Sequence, residues 1–320
     1  MFPQKPTICF AHVAYRLAER FDARNTGLPA FQVTSKAELD ARIAEADVLV
    51  CSGMWRNDLP PLSPRLKLVQ SVSAGTDQYD RAVIRGAGIR LASAQGVNAN
   101  AVSEHAISLI LAILRRIPEA RDNQAKHFWR GMQGDFSGRE DECGGKTVVL
   151  VGLGGIGARI GRLCQALGMR VVGVRRDPSA GAAGMEEVHS FRDLNTLLPR
   201  ADFLVLACPL TDDTRGLVNA AALAAMKPTA RIVNVARGRV VDEPALIAAL
   251  RAGQIAGAAL DVTVEEPLPA ESPLWDMANV LITPHSAGET HKYEDNVLDL
   301  MMENIARLAR GEDGLVNQIV

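Results

Sequence analysis

Four apolar strands in the second half of the sequence end at residues that can shape a ligand site. They are Pro209 after ADFLVLAC, Arg237 after RIVNVA, Asp261 after IAGAAL and His285 after NVLITP. The carboxyl ends of parallel strands lie at one edge of a sheet, where ligands bind in open α/β sheets. Taken singly, Arg237, Asp261 and His285 have ordinary explanations as a surface cation, a turn cap and a loop histidine. Their common edge instead favours a site that binds an anion and transfers a proton.

A glycine-rich loop, GLGGIG from Gly152 to Gly157, follows the apolar strand TVVLVGL and opens the helical segment ARIGRLCQALG. Gly152 permits a tight turn, Gly154 lets the backbone approach a pyrophosphate, and Gly157 lets the helix pack on the strand. The helix N-terminus adds free N–H groups and a positive dipole end. The position of the glycine-rich loop between a strand and a helix predicts that it binds a dinucleotide.

The next strand, VVGV, ends in two arginines, Arg175 and Arg176. NAD sites usually place an acidic residue about 20 positions after the loop, where it binds the ribose 2′-OH. Two guanidiniums instead suit a 2′-phosphate, because Arg forms charge-assisted bonds with phosphate oxygens. The sequence therefore predicts NADP(H) in preference to NAD(H). The alternative interpretation is a solvated basic turn in which Asp177 binds the ribose.

The elements that must position these residues alternate between short strands and helices over most of the 320 residues. Such alternation is typical of parallel sheets covered by helices on both faces, so the predicted fold class is α/β. At about 150 residues per domain, the length predicts two Rossmann-like or flavodoxin-like doubly wound domains with a cleft between them. A hydrophobic fraction of 48% and a charged fraction of 22% fit globular domains.

The domain boundaries follow from the helices. The segment NAVSEHAISLILAILRR, residues 100–116, has an apolar face too wide for a surface helix and is predicted to be buried between domains or subunits, with Pro118 ending it. A last helix over roughly 294–310 is predicted to return to the first domain. We therefore expect a discontinuous substrate-binding domain at 1–99 plus 289–320 and a dinucleotide-binding domain at 100–288.

Composition excludes several classes of partner. A net charge of −2 gives no general attraction to nucleic acid or to an anionic membrane. No stretch reaches the roughly 18 apolar residues of a membrane span, and the N-terminus lacks a secretion-signal pattern, so we expect a cytoplasmic protein. The five cysteines are scattered and form no CxxC pair, so neither a disulfide framework nor a metal site is expected.

With these motifs in view, the sequence resembles the D-isomer-specific 2-hydroxyacid dehydrogenases, a family that includes glyoxylate and hydroxypyruvate reductases. The resemblance covers most of the chain and rests on the order and spacing of seven segments. They are SVSAGTDQYD, AVSEHAISLILAILRRIPE, TVVLVGLGGIGARIGRLCQALGMRV, ACPLTDDTRGLVN, RIVNVARGRVVDEPAL, AALDVTVEEPLP and NVLITPHSAG.

The resemblance implies an NAD(P)-dependent oxidoreductase acting on small 2-keto or 2-hydroxy acids, with Arg237, Glu266 and His285 as the catalytic trio. Arg237 would hold the substrate carboxylate and polarise the ketone with its planar fork of donors. Protonated His285 would give a proton to the carbonyl oxygen as hydride reaches C2, and neutral His285 would accept it in reverse. Glu266 would orient the imidazole and stabilise its cationic form.

The resemblance also implies the remaining contacts. The N–H groups of Ala74, Gly75 and Thr76 would bind the substrate carboxylate, and Asp261 would bond the nicotinamide carboxamide. The helix after Asn100 resembles the family's dimerisation element, so a homodimer is expected. The coenzyme-binding set implied by the loop, the strand ends and the resemblance is Gly152, Gly154, Gly155, Ile156, Gly157, Arg175, Arg176, Cys208, Pro209, Thr214, Val235, Ala236, Asp261, His285, Ala287 and Gly288.

Some features leave alternatives open. Arg175 stands where the family usually has an acidic residue, and Thr263 stands where it usually has an aromatic one. Met54 and Trp55 lie where first-domain loops would reach the substrate, so they either set the pocket size or simply pack. Two other functions remain: a nucleotide-sensing corepressor, against which the complete trio argues, and a formate or phosphite dehydrogenase, which only a test of those donors would decide.

Overall fold

The computed structural model describes residues 2–181, 185 and 187–320. Its strands are β1 (Ile8–Ala11), β2 (Ala30–Val33), β3 (Val48–Cys51), β4 (Leu68–Ser71), β5 (Arg90–Ala92), β6 (Thr147–Val151), β7 (Arg170–Val174), β8 (Glu187–His189), β9 (Phe203–Leu206), β10 (Arg231–Asn234), β11 (Gly257–Leu260) and β12 (Val280–Ile282). Its α-helices are α1 (Leu17–Asp22), α2 (Lys36–Arg42), α3 (Arg81–Gly86), α4 (Ala99–Leu114), α5 (Ile117–Ala125), α6 (Gly155–Ala166), α7 (Leu194–Leu197), α8 (Ala220–Ala225), α9 (Glu243–Arg251) and α10 (Tyr293–Ala309).

The chain divides into two compact units. The first unit comprises Met1–Asn98 and Thr290–Val320, and the second comprises Ala99–Glu289. Helix α10 therefore belongs to the first unit, where it packs against α1. Each unit contains one sheet with buried apolar clusters on both faces.

The first unit is built on five parallel strands in the order β2-β1-β3-β4-β5. This order is that of a flavodoxin-like doubly wound sheet. Successive side chains of a strand point to opposite faces. In β1, Ile8 and Phe10 accordingly join the cluster that includes α10, whereas Cys9 and Ala11 join the cluster on the other face. Every residue of β1 is buried, which is why this strand is apolar throughout rather than alternating.

The second unit is built on seven parallel strands in the order β12-β11-β10-β9-β6-β7-β8. Counted from β6, this is the strand order of a dinucleotide-binding Rossmann sheet with one strand added at the β12 edge. The order reverses between β6 and β9, and the chain leaves β6 directly into α6. The prediction of two doubly wound parallel α/β sheets is confirmed.

Several element predictions were incomplete. Strands β2, β5 and β8 and helix α1 were not predicted, because each is short and only partly apolar. The prediction that Pro118 ends the long helix was wrong. Helix α4 already ends at Leu114, and Pro118 lies in the first turn of α5. Proline fits there because the first N–H groups of a helix have no intrahelical acceptor.

The five cysteines are buried free thiols, and none of the described helices is long and apolar enough to cross a membrane. Within residues 2–181, 185 and 187–320, no group of three or more His, Cys, Asp or Glu side chains is arranged to hold a metal ion.

Candidate active site

The glycine-rich loop connects β6 to α6 in the second unit. Gly152 has φ +98°, a conformation that side chains disfavour, and a Cβ there would lie 2.6 Å from the backbone nitrogen of Cys208. A Cβ on Gly157 would lie 1.8 Å from the Gly152 carbonyl oxygen, so this position also requires glycine. These contacts press the start of α6 against the β6 turn, as the sequence predicted.

The N-terminus of α6 presents open backbone. A Cβ added at Gly154 or Gly155 would meet no atom within 4 Å. No described residue accepts a hydrogen bond from the N–H groups of Gly155, Ile156 or Gly157. Free N–H groups at the positive end of a helix dipole are suited to a pyrophosphate. This cradle fits the phosphates of a dinucleotide.

The turn after β7 holds the two arginines differently. Nη1 of Arg175 donates to the Gly181 carbonyl oxygen at 2.6 Å, whereas Arg176 is largely exposed and pairs with Asp213 at 3.1 Å. Asp177 accepts from the Ser179 hydroxyl at 2.6 Å and from its N–H at 3.0 Å. These two bonds lower the pKa of Asp177. Asp177 thus caps its own turn. Of the two arginines, Arg176 is the more exposed cation.

The segment after β9 forms a compact turn beside the glycine-rich loop. The buried Thr214 hydroxyl donates to the Pro209 carbonyl oxygen at 2.7 Å and accepts from the Thr211 N–H at 2.8 Å. Its hydroxyl therefore shapes the turn. Cys208 is buried at the start of the turn, and burial raises the pKa of its thiol to about 11, so the thiol stays protonated at neutral pH.

Arg237 lies at the carboxyl end of β10 and is exposed. The turn that presents it is held by Asn234, a fully buried side chain that sequence reasoning missed. Its Oδ1 accepts from the Ala236 N–H at 3.0 Å, and its Nδ2 donates to the Arg237 carbonyl oxygen at 3.1 Å. A polar residue at the end of an otherwise apolar strand was the available signal. Val235 and Ala236 are buried within this turn.

The Arg237 turn touches the loop that carries Glu266. A Cβ on Gly238 would lie 2.0 Å from the Thr263 carbonyl oxygen, so the two backbones meet at van der Waals distance only because residue 238 is glycine. Thr263 donates its N–H to Oε1 of Glu266 at 3.1 Å and its hydroxyl to the Glu265 carbonyl oxygen at 2.7 Å. The two hydrogen bonds of Thr263 therefore stabilise the turn in this loop.

His285 follows β12 and meets Glu266 directly. Its Nδ1 lies 2.7 Å from Oε2 of Glu266, and both side chains are partly exposed. The backbone of His285 is left-handed, with φ +52°, and its N–H donates to the Asp261 carbonyl oxygen at 2.8 Å. Arg237, Glu266 and His285 are thus carried by loops that are bonded or packed to one another.

The Asp261 carboxylate binds the loop around His285. It is 2% exposed and accepts from the Thr283 hydroxyl at 2.6 Å, from the Ser286 N–H at 3.0 Å and from the Ala287 N–H at 3.2 Å. From the sequence, Asp261 had two possible roles, a turn cap or a contact to the nicotinamide carboxamide. Its main partners within the chain are the residues on either side of His285.

In the first unit, the loop after β4 carries Ala74, Gly75 and Thr76. The hydroxyl of Ser73 donates to the Gly75 carbonyl oxygen at 2.9 Å. In the part of the chain that the structure describes, nothing accepts a hydrogen bond from the N–H groups of residues 74–76. Free backbone N–H groups in a loop can bind an anion such as a carboxylate.

Met54 and Trp55, the two residues proposed from sequence either to set the substrate pocket or to pack, belong to the core of the first unit. Each is 5% exposed within an apolar cluster. The Trp55 ring packs against Tyr79 at 5.5 Å, and its Nε1 donates to Oδ1 of Asn57 at 2.9 Å. The geometry supports the packing interpretation.

A family model described as "D-isomer specific 2-hydroxyacid dehydrogenase, NAD binding domain" matches residues 107–287. The chain is 36% identical over 294 residues to glyoxylate reductase of Thermofilum pendens, covering 89% of this chain and 86% of that protein. Its fold matches a D-isomer specific 2-hydroxyacid dehydrogenase family protein of Aeromonas salmonicida, with a TM-score of 0.84 at 27% identity and 99% coverage of both chains. It also matches the NADPH-dependent glyoxylate/hydroxypyruvate reductase of Sinorhizobium meliloti, with a TM-score of 0.80 at 27% identity and 98% coverage of both. The chain therefore belongs to the D-isomer specific 2-hydroxyacid dehydrogenases, NAD(P)-dependent oxidoreductases that act on CH–OH groups.

Proposed function

We propose that the chain is a 2-keto acid reductase that converts a small 2-keto acid to the D-2-hydroxy acid, with NADPH as its preferred coenzyme. The observation that carries the proposal is the contact between Nδ1 of His285 and Oε2 of Glu266, which lie 2.7 Å apart. The loop that carries Glu266 also packs on the turn that presents Arg237. A fixed acid–base pair beside a guanidinium suits a substrate that is both a carboxylate and a ketone.

The coenzyme would bind along the carboxyl edge of the second unit's sheet. The N–H groups of Gly155–Gly157 would hold the pyrophosphate, and the Asp261 carboxylate, whose Oδ2 has fewer partners than Oδ1, would accept from the nicotinamide carboxamide. The bound nicotinamide supplies the hydride for C2. Arg175 and Arg176 would bind the 2′-phosphate of NADPH, a preference supported by the NADPH-dependent reductase of Sinorhizobium meliloti.

The proton is handled by His285. An ionised Glu266 carboxylate can only accept, so the imidazole keeps its proton on Nδ1 and exchanges the other proton at Nε2. In reduction, protonated Nε2 gives its proton to the carbonyl oxygen as C2 gains the hydride, and the product is a hydroxyl group. In oxidation, neutral Nε2 takes that proton back. Arg237 polarises the carbonyl and holds the substrate carboxylate.

We assign substrate binding to the first unit and dinucleotide binding to the second. The free N–H groups of residues 74–76 are suited to the substrate carboxylate. Because the structure packs Met54 and Trp55 into the core, we assign them a supporting role rather than direct contact. The glyoxylate reductases among the relatives favour a small acid such as glyoxylate or hydroxypyruvate.

We also propose that the protein is a homodimer. Four large apolar side chains after α5 are exposed, and Trp129 is 95% exposed; they are Phe128, Trp129, Met132 and Phe136. Such a concentration of apolar surface on one segment is typical of an interface. By contrast, α4 buries much of its apolar face within its own unit, so the exposed segment offers the larger surface to a second copy.

The proposal is tested by a substrate panel read by the absorbance of the reduced coenzyme. Glyoxylate, hydroxypyruvate, pyruvate, phenylpyruvate and 2-ketoisocaproate are each supplied with NADPH and with NADH, beside a His285→Ala control. We expect turnover of at least one acid, higher kcat/KM with NADPH, and a 10²- to 10⁴-fold loss in the control, roughly the contribution of general acid–base catalysis. Silence across the panel while NADPH binds, or full activity of the control, would overturn the proposal.

A further inference from the structure

His105, on helix α4, contacts the loop that carries His285. Its Nε2 lies 2.9 Å from Oγ1 of Thr283 and 3.5 Å from Oδ1 of Asp261. The ring is three-quarters buried, and Asp261 is almost wholly buried. Neither the trio nor the coenzyme-binding set includes His105, so its position has no role in the function derived above.

The hydrogen-bond directions in this cluster follow from the chemistry of the three groups. The Thr283 hydroxyl has one hydrogen and lies 2.6 Å from Oδ1 of Asp261, which as a carboxylate oxygen can only accept. Thr283 therefore donates to Asp261 and must accept from His105. This assigns a proton to Nε2 of His105 and makes the ring the first donor in a chain that ends on the carboxylate.

The same carboxylate holds both sides of His285. Thr283 precedes it, and the N–H groups of Ser286 and Ala287, which follow it, donate to Asp261. Between them, His285 has a left-handed backbone, which is unfavourable for a residue with a side chain and persists only where the surroundings enforce it. The buried carboxylate and its donors supply that enforcement.

We propose that His105 is a positioning residue for His285, acting through Thr283 and Asp261. The inference rests on the proposed function, in which His285 exchanges the substrate proton. His105 extends from α4, a 16-residue helix packed against α6, and so ties a catalytic loop to a rigid element. Losing its N–H leaves Thr283 without a donor and lets the His285 loop relax away from Glu266.

The experiment compares His105→Leu with His105→Gln, using the acid that the panel identifies as best. Leucine removes the donor, whereas the glutamine amide can replace it. We expect kcat to fall about tenfold in H105L, with the KM for the coenzyme changed less than about threefold, and H105Q to recover most of the loss. Ser108→Ala, one turn along α4, removes a hydroxyl that donates to the Glu104 carbonyl oxygen; it is the control and should have the kcat of the wild type.

Thr283→Val keeps the test decisive if H105L folds poorly, because it breaks the same chain without altering α4. T283V should lose about as much kcat as H105L, and the double variant should be no slower than the slower single variant. Full kcat in H105L and T283V would overturn the positioning role, as would H105Q being as slow as H105L at equal thermal stability. If H285A itself keeps full activity, the proposed function fails instead, so the two failures are distinguishable.

Discussion

Nδ1 of His285 lies 2.7 Å from Oε2 of Glu266, and the other oxygen of the same carboxylate accepts the Thr263 N–H at 3.1 Å. Thr263, in the same loop, therefore fixes one oxygen of the Glu266 carboxylate, and the other oxygen holds the imidazole. Because Nδ1 is held by Glu266, Nε2 is the nitrogen that the proposed mechanism uses for proton exchange. The pair has the geometry of a general acid–base catalyst in which the carboxylate occupies one ring nitrogen and leaves the other for reaction.

Replacing Glu266 with glutamine should slow turnover by about 10- to 100-fold. The amide can still contact Nδ1 but no longer stabilises the imidazolium that forms when the hydroxy acid is oxidised. The measurement is kcat in both directions at neutral pH. Glu265→Gln is the control, since the Glu265 side chain is exposed and only its backbone carbonyl takes part in the loop. Equal rates for E266Q and E265Q would remove Glu266 from the mechanism.

The coenzyme preference should depend on Arg175 and Arg176 together. We expect the double alanine variant to lower kcat/KM with NADPH about 10- to 100-fold relative to NADH, because charge-assisted bonds to the 2′-phosphate are lost. Arg170→Ala provides the comparison, since Arg170 is an exposed arginine at the opposite end of β7. An unchanged NADPH to NADH ratio in the double variant would show that the basic turn does not select the coenzyme.

The segment with Trp129 and Met132 should hold two copies together. The double variant W129S/M132S is expected to shift the mass measured by light scattering from two protomers toward one, because it removes two exposed apolar anchors. Val13→Ser, which alters an exposed apolar residue of the first unit, should leave the mass unchanged. A wild-type protein that is monomeric at all concentrations would contradict the dimer proposal.

His12 should make the stability of the protein sensitive to acid. Its Nδ1 accepts from the N–H groups of Ala14 at 3.1 Å and Tyr15 at 2.8 Å, and burial lowers the pKa of the ring, partly opposed by Glu294. A lowered pKa means that the unfolded chain binds the extra proton first. The contribution of His12 to the free energy of unfolding is therefore fully present above about pH 6.5, the usual histidine pKa, and is lost as the pH falls below it.

The comparison variant is His12→Asn, whose Oδ1 can accept the same N–H groups but does not titrate. Thermal unfolding at pH 7.5 and 5.5 should show the wild type losing more Tm than H12N over this interval. A parallel loss in both proteins would mean that His12 does not set the acid response.

Gly238→Ala should impair both folding and catalysis. The added Cβ would lie 2.0 Å from the Thr263 carbonyl oxygen, so the Arg237 turn and the Glu266 loop must move apart. We expect a loss of about 1–3 kcal/mol in the free energy of unfolding, the usual cost of overpacking, and at least a tenfold loss of kcat from misplacement. Gly86→Ala, where a Cβ meets nothing within 4 Å, should be neutral in urea unfolding and in turnover.

Much of the architecture could be predicted from the sequence. Strands such as β6 and β9 are buried on both faces and so read as continuous apolar runs. The carboxyl ends of β10 and β12 place Arg237 and His285 at one edge of the same parallel sheet by topology alone. Helix α5 and strand β8 escaped prediction because neither has a strong apolar period. Local patterns record burial, so partly exposed elements leave a weak signal.

The interactions that support the site could not be predicted in this way. His105 contacts Thr283, which is far away in sequence, and nothing in the residues around His105 indicates that partner. Asn234 bonds to the nearby residues Ala236 and Arg237, and its polar side chain at the end of an apolar strand was the only local sign of that role. Met54 and Trp55 show a different ambiguity. Their place after β3 was compatible both with a pocket role and with packing, because apolar side chains at a strand end also close a core, and the structure buries both in the cluster of the first unit.

The division of labour along the chain has a consequence for how substrate range can change. The glycine-rich loop, Arg237, Glu266 and His285 all belong to the uninterrupted unit Ala99–Glu289, while the loop at residues 74–76, which we propose binds the substrate carboxylate, belongs to the other unit. A chimaera that keeps the second unit and takes the first from a relative needs only two junctions, at Asn98 and at Thr290. If the proposed division of roles holds, recombination at these points would change the acid that is bound while keeping Arg237, Glu266 and His285 together in one unit.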